Sequence, residues 1–212
     1  MKEAVIFDMD GVVVDSEPCH EKAFEEVIEE IGYGGRHGLD FKDYVGRTDH
    51  ELWIDFLAKH NPPHTMEELL ALKSQRVVEI MRRDEPLFAG LPELVEKLSK
   101  QYCLALASGS ERVIVEAVLA MEGLRRFFGV VLTATEVRRG KPEPDIFLKA
   151  ADLLGVEPRH CWVIEDSKPG VAAGLAAGMR VIAITNTHPA EDLRHATHVV
   201  GSYPEIQGIL LA

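Results

Sequence analysis

The chain has 212 residues, of which 46% are hydrophobic and 27% are charged, a composition typical of a globular protein with a sizeable core. Its formal net charge of −12 argues against a surface that binds nucleic acid or an anionic membrane, so we expect neither partner. The three cysteines are widely spaced and no signal-like or membrane-spanning apolar run is present, which predicts a cytoplasmic protein.

The first predicted element is a short buried strand at residues 4–7 that ends in two aspartates. Asp8 and Asp10 are separated by one residue and are followed directly by Gly11. Ligands of open α/β sheets bind beyond the carboxyl ends of the strands, which is where these carboxylates are placed. Alternate residues of an extended chain point in opposite directions, so both reach one site only if the backbone turns at once, as Gly11 permits. The alternative is that both are ordinary turn or helix-cap residues.

The stretch after Asp15 contains helical patterns and no candidate strand. Apolar residues at helical spacing predict three helices, over residues 17–31, around 52–57 and over 66–83. The segment Thr65-Met66-Glu67-Glu68 has the capping-box pattern that opens the third of them. We therefore predict an all-helical insert at residues 16–85, with residues 1–15 and 86–212 forming the other domain.

From Leu87 onwards strand and helix patterns alternate. Strands are predicted at residues 103–107, 130–132, 161–164, 181–184 and 198–200. Helices are predicted at residues 91–100, 111–121, 145–154 and 171–177. We expect Ser110 to cap the helix that follows it and Gly155 to end the helix at 145–154. The alternation predicts an α/β fold with a doubly wound parallel sheet and right-handed crossovers.

Polar residues follow four of the predicted strands and should converge, because the carboxyl ends of parallel strands share one edge. The four groups are Asp8 with Asp10, Ser108-Gly109-Ser110, Lys141, and Glu165 with Asp166. Crowded carboxylates stay ionised only beside a cation, and hard oxygen ligands suit Mg²⁺. The Ser-Gly-Ser turn and Lys141 suit an anion. Together they indicate phosphoryl transfer, with Asp8 as the nucleophile and Asp10 as the acid and base.

These residues also resemble the four motifs of the haloacid-dehalogenase superfamily. The resemblance is carried, in chain order, by residues 8–17, 106–110, 140–145 and 163–167. The resemblance covers the chain outside the helical insert. Within the superfamily, the chain is similar to the phosphoglycolate-phosphatase and β-phosphoglucomutase branch. The resemblance implies a Rossmann-like core with a mobile helical cap at residues 16–85.

The resemblance also implies a role for each motif residue. Asp8 would be the nucleophile that forms an aspartyl-phosphate, and Asp10 would be the acid and base. The implied phosphate-binding groups are Ser108, the Gly109 N–H and Lys141. The implied Mg²⁺ ligands are Asp8, the Asp10 carbonyl and Asp166, with Glu165 assisting directly or through water. Asp10 argues against dehalogenase activity, because a departing halide needs no acid.

Three residues of the predicted cap are candidate substrate contacts. They are His20, Arg47 and Lys73. Each has an ordinary alternative: a helix-start residue, a surface ion-pair partner and a solvated lysine, respectively. The mutases of this branch carry an arginine soon after the Ser or Thr of the cap loop, whereas Asp49 follows Thr48 in this chain. That difference favours a phosphatase.

The sequence therefore predicts a Mg²⁺-dependent phosphatase that hydrolyses a small phosphorylated metabolite of the sugar phosphate or phosphoglycolate type. A β-phosphoglucomutase-like phosphomutase is the alternative, and a non-catalytic binding protein on the same scaffold is a third. The expected partner is a small-molecule phosphate ester, and the chain is expected to be a monomer or a weak dimer.

Overall fold

A computed structural model describes residues 2–44 and 48–212, apart from the side chain of Lys42. Contacts between residues divide the chain into two compact units. One consists of Met1–Asp15 with Pro86–Ala212, and the other is Ser16–Glu85. Among the described residues, no helix combines the length and the apolar character that a membrane crossing requires.

The first unit is built on a six-stranded parallel sheet of order β3-β2-β1-β4-β5-β6. The strands are β1 (Ala4–Phe7), β2 (Cys103–Ala107), β3 (Phe128–Leu132), β4 (Cys161–Glu165), β5 (Arg180–Ile184) and β6 (His198–Val200). In the central strand, Ile6 pairs with Ala105 on one side and Val163 on the other. The predicted doubly wound parallel sheet is confirmed.

Eight helices accompany the strands in the described residues. They are α1 (Glu17–Glu30), α2 (Asp49–His60), α3 (Met66–Asp84), α4 (Leu91–Ser99), α5 (Arg112–Ala120), α6 (Asp145–Leu154), α7 (Lys168–Ala176) and α8 (Tyr203–Leu210). Helix α6 contributes Phe147 and Ala150 to an apolar cluster that also contains Ile6 and Val163 of the sheet. Every residue of β1 is buried, as its uninterrupted apolar sequence predicts.

The second unit is helical and has its own apolar core. The indole of Trp53 packs between Phe24 and Phe56, with ring centroids 5.5 and 5.6 Å away, respectively. The predicted capping box of α3 is present, with the Thr65 hydroxyl accepting a 3.2 Å hydrogen bond from the Glu68 N–H. Helix α2 begins earlier than the apolar pattern predicts, at Asp49.

The start of α5 differs from the expectation. Glu111 is its N-cap and makes no side-chain capping bond, so the prediction that Ser110 caps this helix was wrong. The Ser110 hydroxyl donates instead to Asp10 Oδ2 at 2.6 Å, so it is already used and does not bond the start of the helix. Gly155 ends α6 with a φ of 65°, as predicted. Helix α8 was not predicted.

Candidate active site

A tight turn directly after β1 brings Asp8 and Asp10 to the same edge of the sheet. Gly11 has a φ of 74° and its N–H donates to the Val14 carbonyl at 2.9 Å. A Cβ added to Gly11 would lie 1.9 Å from Asp166 Oδ2, so any larger residue collides with that carboxylate. The turn therefore requires glycine both for its backbone conformation and for its lack of a side chain.

The Lys141 ammonium joins two carboxylates at the centre of this edge. It donates to Asp8 Oδ1 and, at 2.7 Å, to Glu165 Oε1. Burial favours the neutral amine, but the two carboxylates outweigh it and raise the pKa of Lys141 above its ordinary value. Burial raises the pKa of Asp8 well above its usual range, although Lys141 opposes the shift. Lys141 holds the pKa of Glu165 below its usual range against the effect of burial.

Glu165 is completely buried, and hydrogen bonds engage both of its oxygens. Its Oε2 accepts from the Asp166 N–H, the Ser167 N–H and the Ser167 hydroxyl, each at 2.9 Å. A Cβ added to Gly170 would lie 1.7 Å from Glu165 Oε1, so the first turn of α7 packs against this carboxylate. Glu165 therefore stays ionised, with hydrogen bonds on both of its oxygens, and holds the Lys141 ammonium in place.

The end of β2 contacts Asp10 through two serines. Ser110 Oγ donates to Asp10 Oδ2 at 2.6 Å, and Ser108 Oγ approaches the same oxygen at 3.4 Å. The Ser110 N–H donates to Ser108 Oγ at 2.9 Å. Gly109 lies between them, and a Cβ added there would meet no atom within 4 Å. The other oxygen of Asp10, Oδ1, is buried and has no hydrogen-bond partner among the described residues.

Three buried carboxylates at this edge form a group suited to a hard cation. Oxygen atoms of Asp8, Glu165 and Asp166 lie within 4.8 Å of one another. Burial and the neighbouring Glu165 raise the pKa of Asp166 to about 7. A bound divalent cation would relieve this repulsion, and an all-oxygen donor set is the set that Mg²⁺ prefers. These residues thus fit the predicted metal.

The sequence prediction missed a fifth strand end at the same edge. Thr187 follows β5, and its hydroxyl donates to Asp166 Oδ2. The rule that identified the other strand ends applies equally to the polar run Thr185-Asn186-Thr187. That run contains no charged residue, which is why it did not stand out.

Lys73, one of the three candidate substrate residues, does not have the environment of a solvated lysine. Lys73 is fully buried and pairs with Asp49, and its Nζ lies 3.4 Å from His20 Nδ1. The alternative of a solvated lysine is therefore wrong. Burial lowers the pKa of Lys73, and Asp49 partly restores it. Arg47, the third candidate, lies outside the described residues.

The chain resembles one enzyme family, two phosphatases of Escherichia coli and a solved structure. The model of the haloacid dehalogenase-like hydrolase family matches residues 2–178. The chain is 36% identical to fructose-1-phosphate phosphatase YqaB of Escherichia coli over 85% of this chain and 95% of that protein. It is 33% identical to hexitol phosphatase B of the same species over 90% and 87%, respectively. The crystal structure of a putative β-phosphoglucomutase from Thermotoga maritima superposes with a TM-score of 0.84 at 29% identity, over 99% and 98% of the two chains.

Proposed function

This chain belongs to the haloacid dehalogenase-like hydrolase family and hydrolyses phosphoric monoesters, and we propose that it does so through a phosphorylated Asp8. The observation that carries the proposal is the buried Asp8 carboxylate, which pairs with the Lys141 ammonium. Asp8 lies two residues before Asp10 in the chain. An oriented carboxylate with an acid beside it has the arrangement needed for covalent phosphoryl transfer.

In the first step, an Asp8 oxygen bonds to phosphorus while the bond between phosphorus and the ester oxygen breaks. Asp10 gives its proton to the departing alkoxide and becomes a carboxylate. In the second step, Asp10 removes a proton from water, the water oxygen bonds to phosphorus, and the bond to Asp8 breaks. Inorganic phosphate leaves and both aspartates return to their starting states.

The side chains around Asp10 support its role as the acid and base. Ser110 and Ser108 occupy Oδ2, whereas Oδ1 has no partner among the described residues and can carry the transferred proton. Ser108 and the backbone N–H of Gly109 would bind the transferring phosphoryl group. Lys141 would neutralise its charge, as a buried ammonium is a strong point charge.

Asp8, Asp166 and the backbone carbonyl of Asp10 would hold the Mg²⁺ ion. When bound, the ion withdraws charge from the phosphate oxygens and lets neighbouring carboxylates stay ionised together. The hydrogen bonds on both oxygens of Glu165 favour an indirect role for this residue, through Lys141 and an intervening water. All these groups lie in the part of the fold that the four motifs build.

The proposed substrate is the monophosphate of a sugar or sugar alcohol. Two relatives are named as phosphatases of fructose 1-phosphate and of hexitol phosphates. In the helical unit, Asp49 pairs with Lys73 and neutralises a charge that would otherwise suit a second phosphate. This pairing supports a phosphatase over a phosphomutase. His20, Arg47 and Lys73 remain predicted substrate contacts, and a cytoplasmic location and a monomer or weak dimer remain predictions.

A phosphorus NMR time course with Mg²⁺ tests the proposal. The panel contains fructose 1-phosphate, sorbitol 6-phosphate, phosphoglycolate, and β-glucose 1-phosphate with a bisphosphate primer. We expect inorganic phosphate to appear from sugar or polyol monophosphates, and the Asp8→Asn variant to be inactive because an amide is a poor nucleophile. Conversion of glucose 1-phosphate to the 6-phosphate with little free phosphate would identify a mutase instead.

A further inference from the structure

Two side chains from the C-terminal part of the chain bind the turn that follows Asp10. The Tyr203 hydroxyl donates to the Val12 carbonyl at 2.8 Å. The Asn186 amide donates to the Gly11 carbonyl at 2.8 Å and to the Tyr203 hydroxyl oxygen at 3.1 Å. An amide carries two hydrogens and a phenol one, so a single arrangement satisfies all three bonds. We call this pair the Asn186–Tyr203 clamp.

The clamp lies outside all four sequence motifs. Asn186 follows the end of β5, and Tyr203 is the first residue of α8. Val12 is completely buried and Tyr203 is 7% exposed, so the bond between them is shielded from water. A buried carbonyl that loses its donor must move or remain unsatisfied, and either outcome disturbs the turn.

The turn needs such a restraint because of Gly11. Glycine is required there to avoid the Asp166 carboxylate, but glycine is also the residue with the greatest backbone freedom. Rotation about its bonds would swing the peptide that carries Asp10. Binding of the Gly11 and Val12 carbonyls from outside removes that freedom without adding a side chain at position 11.

We propose that the Asn186–Tyr203 clamp positions Asp10 for proton transfer to the leaving group. Ser110 fixes the carboxylate of Asp10, and the clamp fixes the backbone next to it, so the acid is held at both ends. This inference rests on the proposed function, in which Asp10 is the acid. Asn186 and Tyr203 are positioning residues and do not touch the reacting atoms.

The test compares esters with good and poor leaving groups. A nitrophenolate departs without a proton, whereas a sugar alkoxide needs one, so the ratio of kcat/KM for the two reports on the acid. The esters are p-nitrophenyl phosphate and the sugar phosphate hydrolysed fastest in the phosphorus NMR panel. The ratio of the sugar value to the aryl value is measured for the parent, Tyr203→Phe, Asn186→Ala and Asp10→Asn.

Tyr102→Phe is the matched control. The Tyr102 hydroxyl donates to the Leu210 carbonyl at 2.7 Å, a bond of the same kind near the C-terminal end of α8. Its loss matches the loss of the Tyr203 bond in chemistry without touching the turn after Asp10. A change in the ratio that appears in Tyr203→Phe and not in Tyr102→Phe therefore reports on the position of Asp10 and not on the stability of the protein.

We expect Tyr203→Phe and Asn186→Ala each to lower the ratio by about tenfold, because small misplacements of a catalytic group slow reaction steeply. Asp10→Asn should lower it further, and Tyr102→Phe should leave it at the parent value. If Asp10→Asn lowers the ratio while both clamp variants keep the parent value, the clamp proposal is overturned and the proposed function stands. An unchanged ratio in Asp10→Asn would overturn the role of Asp10 itself, and the clamp proposal with it.

Discussion

Ser110 Oγ donates a 2.6 Å hydrogen bond to Asp10 Oδ2, which joins the turn after β2 to the turn after β1. The bond occupies one carboxylate oxygen and leaves Oδ1 as the atom available for a proton. Two neighbouring strands thus cooperate to orient one acid. The relationship explains why a serine expected to cap a helix makes no capping bond.

Replacement of Ser110 by alanine should slow the hydrolysis of sugar phosphates by about tenfold, because Asp10 loses its short hydrogen bond and samples other rotamers. Ser110→Thr keeps the hydroxyl and should retain most activity. Ser99→Ala, which removes an exposed hydroxyl bonded to the Glu96 carbonyl, is the control. Steady-state kinetics measure the effect, and equal rates for Ser110→Ala and Ser99→Ala would contradict it.

Gly11→Ala should abolish turnover and weaken Mg²⁺ binding, because the new Cβ would lie 1.9 Å from Asp166 Oδ2. Gly90→Ala provides the matched control. Gly90 has a similar φ of 85°, but its added Cβ would meet nothing within 4 Å. We expect Gly90→Ala to lose about 1 kcal/mol of unfolding free energy from backbone strain and to keep its activity. Calorimetric titration with Mg²⁺ separates the two, and equal affinities would refute the steric explanation.

Glu165→Gln should lower the free energy of unfolding by about 3 kcal/mol, because the buried Lys141 ammonium loses a partner. The NH₂ group of the new glutamine would also point either at the N–H and O–H groups that donate to Glu165 or at the Lys141 ammonium, and in both cases donor would face donor. Glu157→Gln removes an exposed partner of Arg159 and should leave the unfolding free energy unchanged. Urea denaturation of both variants tests this, and a similar result for the two would show that Glu165 does not anchor Lys141.

Stability should depend on pH through the acids of the site. The folded protein holds the Asp166 proton with a pKa of about 7, above the value of about 3.9 in an unfolded chain, and the Asp8 pKa is raised as well. The folded state therefore binds more protons between these values, and its stability falls as pH rises through them. Since Mg²⁺ binds the ionised carboxylates, its stabilising effect should be larger at about pH 8 than at about pH 5.

Thermal denaturation with and without Mg²⁺ at several pH values measures this effect. Asp166→Asn removes the titrating group and should reduce both the fall in stability with pH and the gain from Mg²⁺. A stabilisation by Mg²⁺ that is the same at every pH would contradict the account.

Much of the site could be predicted from sequence because its residues follow strands, and the carboxyl ends of parallel strands meet. The apolar runs identify the strands, and the charged residues after them mark the edge. The contacts of Asn186 and Tyr203 could not be predicted, since they join residues 175 and 191 positions apart and involve only neutral groups. The burial of Lys73 was missed for a similar reason, because its partner Asp49 comes from another helix.

The central claim is that Asp8 carries the phosphoryl group, and chemical trapping tests it most directly. The enzyme is mixed with a sugar phosphate and Mg²⁺, quenched in acid within one turnover, and treated with borohydride, which reduces an acyl phosphate to an alcohol. Mass spectrometry of the peptides then locates the reduced residue. We predict homoserine at position 8 in the parent enzyme and none in Asp8→Asn. Reduction at another carboxylate, or none during full turnover, would contradict the account.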